Sequence, residues 1–111
     1  MIFAVDFDGT LVANEYPEIG LTRWNVVTFC KKRQSLGDKI ILWTCRTGHD
    51  LEAAVDYLRD ICSFIPDYIN ENVPWDHTLY PNEGRKIYAD YYIDDKAISV
   101  YNIDKLEKEL N

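Results

Sequence analysis

Asp6 and Asp8, two residues apart in Asp6-Phe7-Asp8-Gly9-Thr10-Leu11, set two carboxylates at the end of an apolar run, Ile2-Phe3-Ala4-Val5. That run has the length and character of a buried core strand, and Gly9-Thr10 mark the turn that follows it. If the chain bends at Asp6, both acidic side chains reach one small volume above a sheet. Carboxylates held so close repel, and both stay ionised only when a cation or strong donors compensate. A hard divalent ion such as Mg²⁺, bound through carboxylate and carbonyl oxygens, is the usual compensation. Taken alone, Asp8-Gly9-Thr10 would equally suit a plain turn. The rest of the chain decides between the two.

Thr44 closes a second apolar run, Ile40-Ile41-Leu42-Trp43, and offers a hydroxyl. The backbone N–H groups after it lead to a helix N-terminus, which binds anions well. Lys86 adds a positive charge, and Asp94-Asp95 can complete a metal site with Asp6. Arg46 is either a solvated loop cation or a second phosphate contact. An acidic nucleophile, a second acid, a hydroxyl, a lysine and a further acidic pair suit phosphoryl transfer. Carboxylates form covalent phosphoryl intermediates, and metal and cations stabilise the charge of the transferring group.

The elements that must position these residues alternate. After the first strand comes a polar, turn-rich stretch from Asn14 to Gly20, then a helix from about Thr22 that Gly37 stops. The second strand ends at Thr44. Leu51, Ala54, Val55, Leu58 and Ile61 follow with a helical period, and Thr47 or Asp50 is placed to cap that helix. Asp67 to Asn70 is a short third strand, Ala89 to Asp94 a fourth and Ile98 to Tyr101 a fifth, before a terminal helix from Lys105 to Leu110. Such alternation implies a parallel sheet with helices on both faces and right-handed crossovers. Ligands then bind at the carboxyl ends of the strands, where Asp6, Asp8, Thr44, Asp94 and Asp95 all fall.

With 111 residues the chain is one domain. A hydrophobic share of 47% places it among globular chains, and no apolar run approaches the ~18 residues of a membrane span. No basic segment precedes Ile2, so no signal peptide is expected. Cys30, Cys45 and Cys62 have no metal-ligand spacing. They are expected to be reduced and mostly buried, which fits a cytoplasmic protein. A net charge of −7 disfavours a grip on nucleic acid but leaves room for an anionic small substrate, because a metal and local cations invert the field inside a pocket.

The set Asp6–Leu11 (DFDGTL), Ile41–Thr44 (ILWT), Lys86 and Tyr91–Ala97 (YYIDDKA), in that order, resembles the haloacid dehalogenase (HAD) superfamily of aspartate-nucleophile phosphatases over nearly the whole chain. The resemblance implies a three-layer, Rossmann-like α/β fold with strand order 5-4-1-2-3. It makes Asp6 the nucleophile and Asp8 the general acid and then the base. Thr44 and Lys86 would hold phosphoryl oxygens. Asp6, Asp94 and the Asp8 carbonyl would bind Mg²⁺, with Asp95 acting through water or orienting Asp94.

Many members of that superfamily carry an inserted cap domain. The intervals from Leu11 to Lys39 and from Gly48 to Arg85 hold only a flap, two helices, a short strand and a loop, so a capless member is expected. An open site suits a macromolecular end, or a small phosphorylated substrate enclosed by a second copy of the chain. The stretch Asn70 to Gly84, with Trp75, His77 and Tyr80, is the candidate lid. The expected activity is a Mg²⁺-dependent phosphomonoester hydrolase. The alternatives are a phosphotransferase or mutase on the same chemistry, and a non-catalytic module for a phospholigand or protein. A phosphoacceptor receiver domain is disfavoured, because its acceptor Asp belongs at a later strand.

Overall fold

The computed structural model describes residues 1–74, 88–94 and 103–110. Among the described residues nine elements run in the order β1 (Ile2–Val5), β2 (Val12–Glu15), β3 (Glu18–Thr22), α1 (Trp24–Ser35), β4 (Lys39–Leu42), α2 (Gly48–Asp60), β5 (Tyr68–Ile69), β6 (Tyr91–Ile93) and α3 (Ile103–Leu110). The expected fifth strand, Ile98 to Tyr101, lies outside the described residues, as do Lys86, Asp95, Trp75, His77 and Tyr80. Among the described residues no helix is long and apolar enough to cross a membrane.

β1 is central because it is apolar on both faces, the pattern of a strand buried within a parallel sheet. The sheet runs β5-β4-β1-β6, and every described pairing in it is parallel. Phe3 and Val5 share one face with Ile40, Leu42 and Ile93. Against that face pack Val26, Val27, Phe29 and Cys30 of α1, Ala54 and Leu58 of α2, and Ile103 and Leu106 of α3. Each Ile, Leu or Phe side chain buried there contributes roughly 1.5–3 kcal/mol. The other face carries a smaller cluster of Ala4, Ile41 and Ala89, flanked by Ile2, Tyr68, Val73 and Tyr92. Helices were expected on both faces, but the three described helices all lie on one. Two successive right-handed crossovers in the same direction, β1 to β4 and β4 to β5, put α1 and α2 on the same side.

Gly37 ends α1 as anticipated. Its φ of 94° is left-handed, its N–H bonds the Gln34 carbonyl at 3.0 Å, and the Asp38 N–H bonds that of Arg33 at 3.0 Å. The buried Arg33 side chain then turns onto the Asp38 carboxylate at 2.6 Å.

The turn-rich stretch after the first strand is an antiparallel hairpin, β2 with β3, whose register shifts between Val12 and Asn14. The sequence hides it because Val12–Glu15 has no alternating apolar pattern and Glu18–Thr22 shows only two apolar residues, Ile19 and Leu21, about Gly20. Gly20 permits the close approach of the two strands, since a Cβ there would stand 2.1 Å from the Ala13 carbonyl oxygen. A hydrogen bond between the Thr22 and Tyr57 hydroxyls ties the hairpin base to α2.

Of the three cysteines, Cys30 and Cys62 are buried and Cys45 is exposed. Burial pushes the Cys30 thiol up to about 12 and also raises that of Cys62. In native protein at pH 8, a short pulse of iodoacetamide should therefore label Cys45 first. Mass spectrometry should find Cys30 and Cys62 labelled only after denaturation, and early labelling of Cys30 would contradict this packing.

Candidate active site at the carboxyl edge

The parallel ladder sets the positions of the functional residues. Val5 pairs with both Leu42 and Ile93, and the ladder continues one residue past the strands. Trp43 N–H donates to the Val5 carbonyl at 2.9 Å, Asp6 N–H to Ile93 at 3.1 Å and Asn70 N–H to Leu42 at 2.8 Å. Asn70, Trp43, Asp6 and Asp94 thus form one row across the carboxyl edge, on strands about 4.8 Å apart. By the two-residue alternation of a strand, Asp6, Trp43 and Asp94 project to the side of Ala4, Ile41 and Tyr92. Asp6 and Asp94 are both half-buried. The Phe7 N–H donates to Asp6 Oδ1 at 2.7 Å and orients that carboxylate.

Beyond Asp6 the chain wraps over one carbonyl. Phe7 O accepts N–H bonds from Thr10, Leu11 and Val12 at 3.0–3.2 Å, while Gly9 N–H donates to Val12 O at 2.8 Å. This tight turn carries Asp8 away from the row and toward Arg46. The Arg46 guanidinium donates Nε–H to Asp8 Oδ2 and Nη2–H to Asp8 Oδ1, both at 2.7 Å. Its remaining N–H groups go to the carbonyls of Pro17 (3.2 Å), Glu18 (3.0 Å) and Asp50 (3.4 Å). Guanidinium has five N–H donors, and all five are used inside the protein. The hydrogen bonds to Asp8 raise the Arg46 pKa further, against the opposing effect of burial. The rings of Phe7 and Tyr16 flank the group at 5.0 and 5.1 Å.

Two expectations change here. Arg46 is neither a solvated cation nor a phosphate contact; it is 2% exposed, with no donor left for a phosphate. The Asp6 and Asp8 side chains, expected to reach one small volume, instead part, because the Asp8 carboxylate is held on both oxygens by Arg46.

Thr44 stands where it was expected, just past β4. Its N–H donates to Asn70 Oδ1 at 2.8 Å, and its hydroxyl accepts the Arg46 N–H at 3.1 Å. The hydroxyl proton is thereby left to donate elsewhere. Thr47 occupies the N-cap position of α2 without a capping side-chain bond. Asn70 was expected only as the end of the third strand. It adopts φ 51°, which asparagine tolerates better than most residues, and from there it positions Thr44. The Tyr16 hydroxyl, donating to Asp50 Oδ2 at 3.0 Å, was equally unanticipated, and nothing in local spacing signals it.

The structure therefore brings Asp6 beside Asp94 and Asp8 onto the Arg46 side chain, while the Arg46 backbone N–H meets the Thr44 hydroxyl. Lys86 and Asp95 lie outside the described residues. Among the described residues no group of three or more His, Cys, Asp or Glu side chains is disposed to hold a metal ion. The neighbouring Asp6 and Asp94 carboxylates are nonetheless a donor set of the hard-oxygen type that suits Mg²⁺.

Replacing Arg46 with Met should destabilise the fold by about 3–5 kcal/mol, because it leaves Asp8 as a partly buried charge without its partner and three carbonyls without donors. Urea melts measure this directly. Hydrogen exchange should also show residues 12–22 losing protection, and a variant as stable as the parent would refute the anchoring role.

The molecule is thus an α/β protein with a mostly parallel sheet and an acidic constellation at its carboxyl edge. A conserved protein from Bacteroides thetaiotaomicron has a solved structure similar to it, with a TM-score of 0.81 and 32% identity, over 100% of this chain and 92% of that one. The chain belongs to the same family as that conserved protein. No protein-family model matches the chain, nor does any curated protein.

Proposed function

We propose that the chain is a Mg²⁺-dependent phosphomonoester hydrolase of the HAD type, without a cap domain, acting through an aspartyl phosphate on Asp6. The observation that carries this reading is the adjacency of Asp6 and Asp94 in one row of the carboxyl edge, with Thr44 one residue above that row. The sheet order β5-β4-β1-β6 supports it, being the third-second-first-fourth order expected of that superfamily. Between Leu11 and Lys39 the chain forms only a hairpin and one helix, which agrees with the absence of a cap there.

In this reading an Asp6 oxygen attacks phosphorus as the bond to the leaving oxygen breaks. Phe7 N–H holds the other geometry of that carboxylate fixed. Thr44 donates its hydroxyl proton to a phosphoryl oxygen, and Lys86 supplies a positive charge. Asp8 gives the leaving oxygen a proton and then takes one from the water that cleaves the aspartyl phosphate. Each Asp8 oxygen keeps a lone pair beyond the one that Arg46 engages, and that is where the proton would sit. Asp6, Asp94 and the Asp8 carbonyl would hold Mg²⁺, with Asp95 acting through water or orienting Asp94, and the ion would neutralise charge on the phosphoryl oxygens when bound.

Chelation should abolish hydrolysis of a generic aryl phosphomonoester and added Mg²⁺ should restore it, whereas full turnover in metal-free protein would sink the proposal. Asp6→Asn should form no phosphoenzyme, as judged by mass spectrometry after acid quench.

Thr44→Val removes one hydrogen bond to a charged group, worth about 1.5–3 kcal/mol, and should lower kcat/KM roughly 10- to 200-fold. Thr44→Ser should recover most of it. Unchanged kinetics in a folded Thr44→Val variant would exclude the hydroxyl from phosphate binding.

A further inference from the structure

Asp6 has two neighbours in its row. One is Asp94; the other is Trp43. Trp43 is 41% exposed although Ile40, Ile41 and Leu42 before it are completely buried. Leaving so much of an indole in water forgoes the burial that elsewhere justifies its size. Two features separate it from an incidental surface aromatic. Its backbone is fixed by the ladder bond to Val5, and its ring packs edge-on against Tyr92, with centroids 5.4 Å apart and planes at 65°. Tyr92 is held in turn, because its hydroxyl accepts the Ala89 N–H at 3.1 Å. The indole is therefore a braced, partly open apolar plate one strand away from the proposed nucleophile.

We propose that Trp43 is the stacking platform for the leaving group, and that the substrates are phosphate monoesters carrying a planar ring close to the phosphate: an aryl phosphate or a mononucleotide. The inference rests on the phosphatase reading for the position of the phosphoryl group. An in-line displacement by Asp6 sends the leaving oxygen away from the sheet edge, past the two flanking side chains. Asp94 offers charge on one side. On the other, only a flat apolar group gains from the indole. The net charge of −7 favours a single phosphate over a polynucleotide, whose affinity comes mainly from basic side chains.

The test is calorimetric binding of phenyl phosphate, adenosine 5′-monophosphate and ethyl phosphate, with Mg²⁺ present, to the Asp6→Asn protein, which cannot turn them over by the proposed route. At least one ring-bearing ester should bind about 5- to 150-fold more tightly than ethyl phosphate, the range that one ring-on-aromatic stack supplies. Which of the two shows the larger preference identifies the kind of ring. Adding Trp43→Leu should erase the preference, and Trp43→Phe should keep most of it, so that loss of aromaticity is separated from loss of bulk. Equal affinity for all three esters, a preference that survives Trp43→Leu, or no binding of any ester would overturn the inference. Trp43-dependent binding of ring-bearing esters, combined with no hydrolysis by the unmodified protein, would retain the platform and dismiss the hydrolase.

Discussion

One buried guanidinium organises the carboxyl side of this molecule. Arg46 ties the loop after β4 to the turn after β1, to the tip of the β2–β3 hairpin and to the first turn of α2, using every donor it has. Burying such a charge is costly unless it is paired and fully hydrogen-bonded, and here it is both. The base of the hairpin is held by Val12 and Ile19 on the core, whereas its tip is anchored by polar bonds from Arg46 and by Tyr16 on Asp50. Removing the guanidinium would therefore affect three separate segments at once. A lysine in its place would supply charge without the planar fork that both Asp8 oxygens require.

Precision at the edge has a different source. Asp6, Trp43 and Asp94 follow strands whose backbone bonds extend one residue beyond their formal ends, so their relative positions derive from the ladder. Asp8 sits on a turn and depends on a side-chain partner. Groups that must be placed within fractions of an ångström lie on the sheet, while the group expected to exchange a proton lies on a loop. Thr44 lies between these cases, its backbone held by Asn70 and its hydroxyl by the loop it begins.

The legibility of the sequence follows the same division. Runs such as Ile2 to Val5 and Ile40 to Leu42 are apolar throughout, and the stop at Gly37 is a local signal, so the strands, α1 and α2 were readable to within a few residues. Lying at the ends of apolar runs placed Asp6, Thr44 and Asp94 at the carboxyl edge from the sequence alone. The hairpin was not readable, because its strands are stabilised by Gly20 against Ala13 and by distant polar partners rather than by an alternating pattern. Arg46 was misjudged for a related reason. A loop arginine beside a strand end looks the same in sequence whether it faces solvent or closes onto a carboxylate 38 positions away. Side-chain pairings across such separations depend on the tertiary fold, and Asn70 on Thr44 is a second case.

The position of β1 has a consequence for how the chain comes to be folded. The central strand precedes both of its neighbours, with Phe3 pairing to Ile40 on one side and to Tyr91 on the other. During synthesis its four apolar residues emerge with both edges open. One edge is closed only when β4 has been made, and the other only when β6, some fifty residues later, has been made. The connections are long-range, which makes their closure slow compared with helix formation. Until β6 docks, the Ile2–Val5 edge is a template for pairing with a second unfinished chain, and the row of edge residues does not yet exist. Assembly of the edge row and protection from aggregation are therefore one event, completed by the same strand.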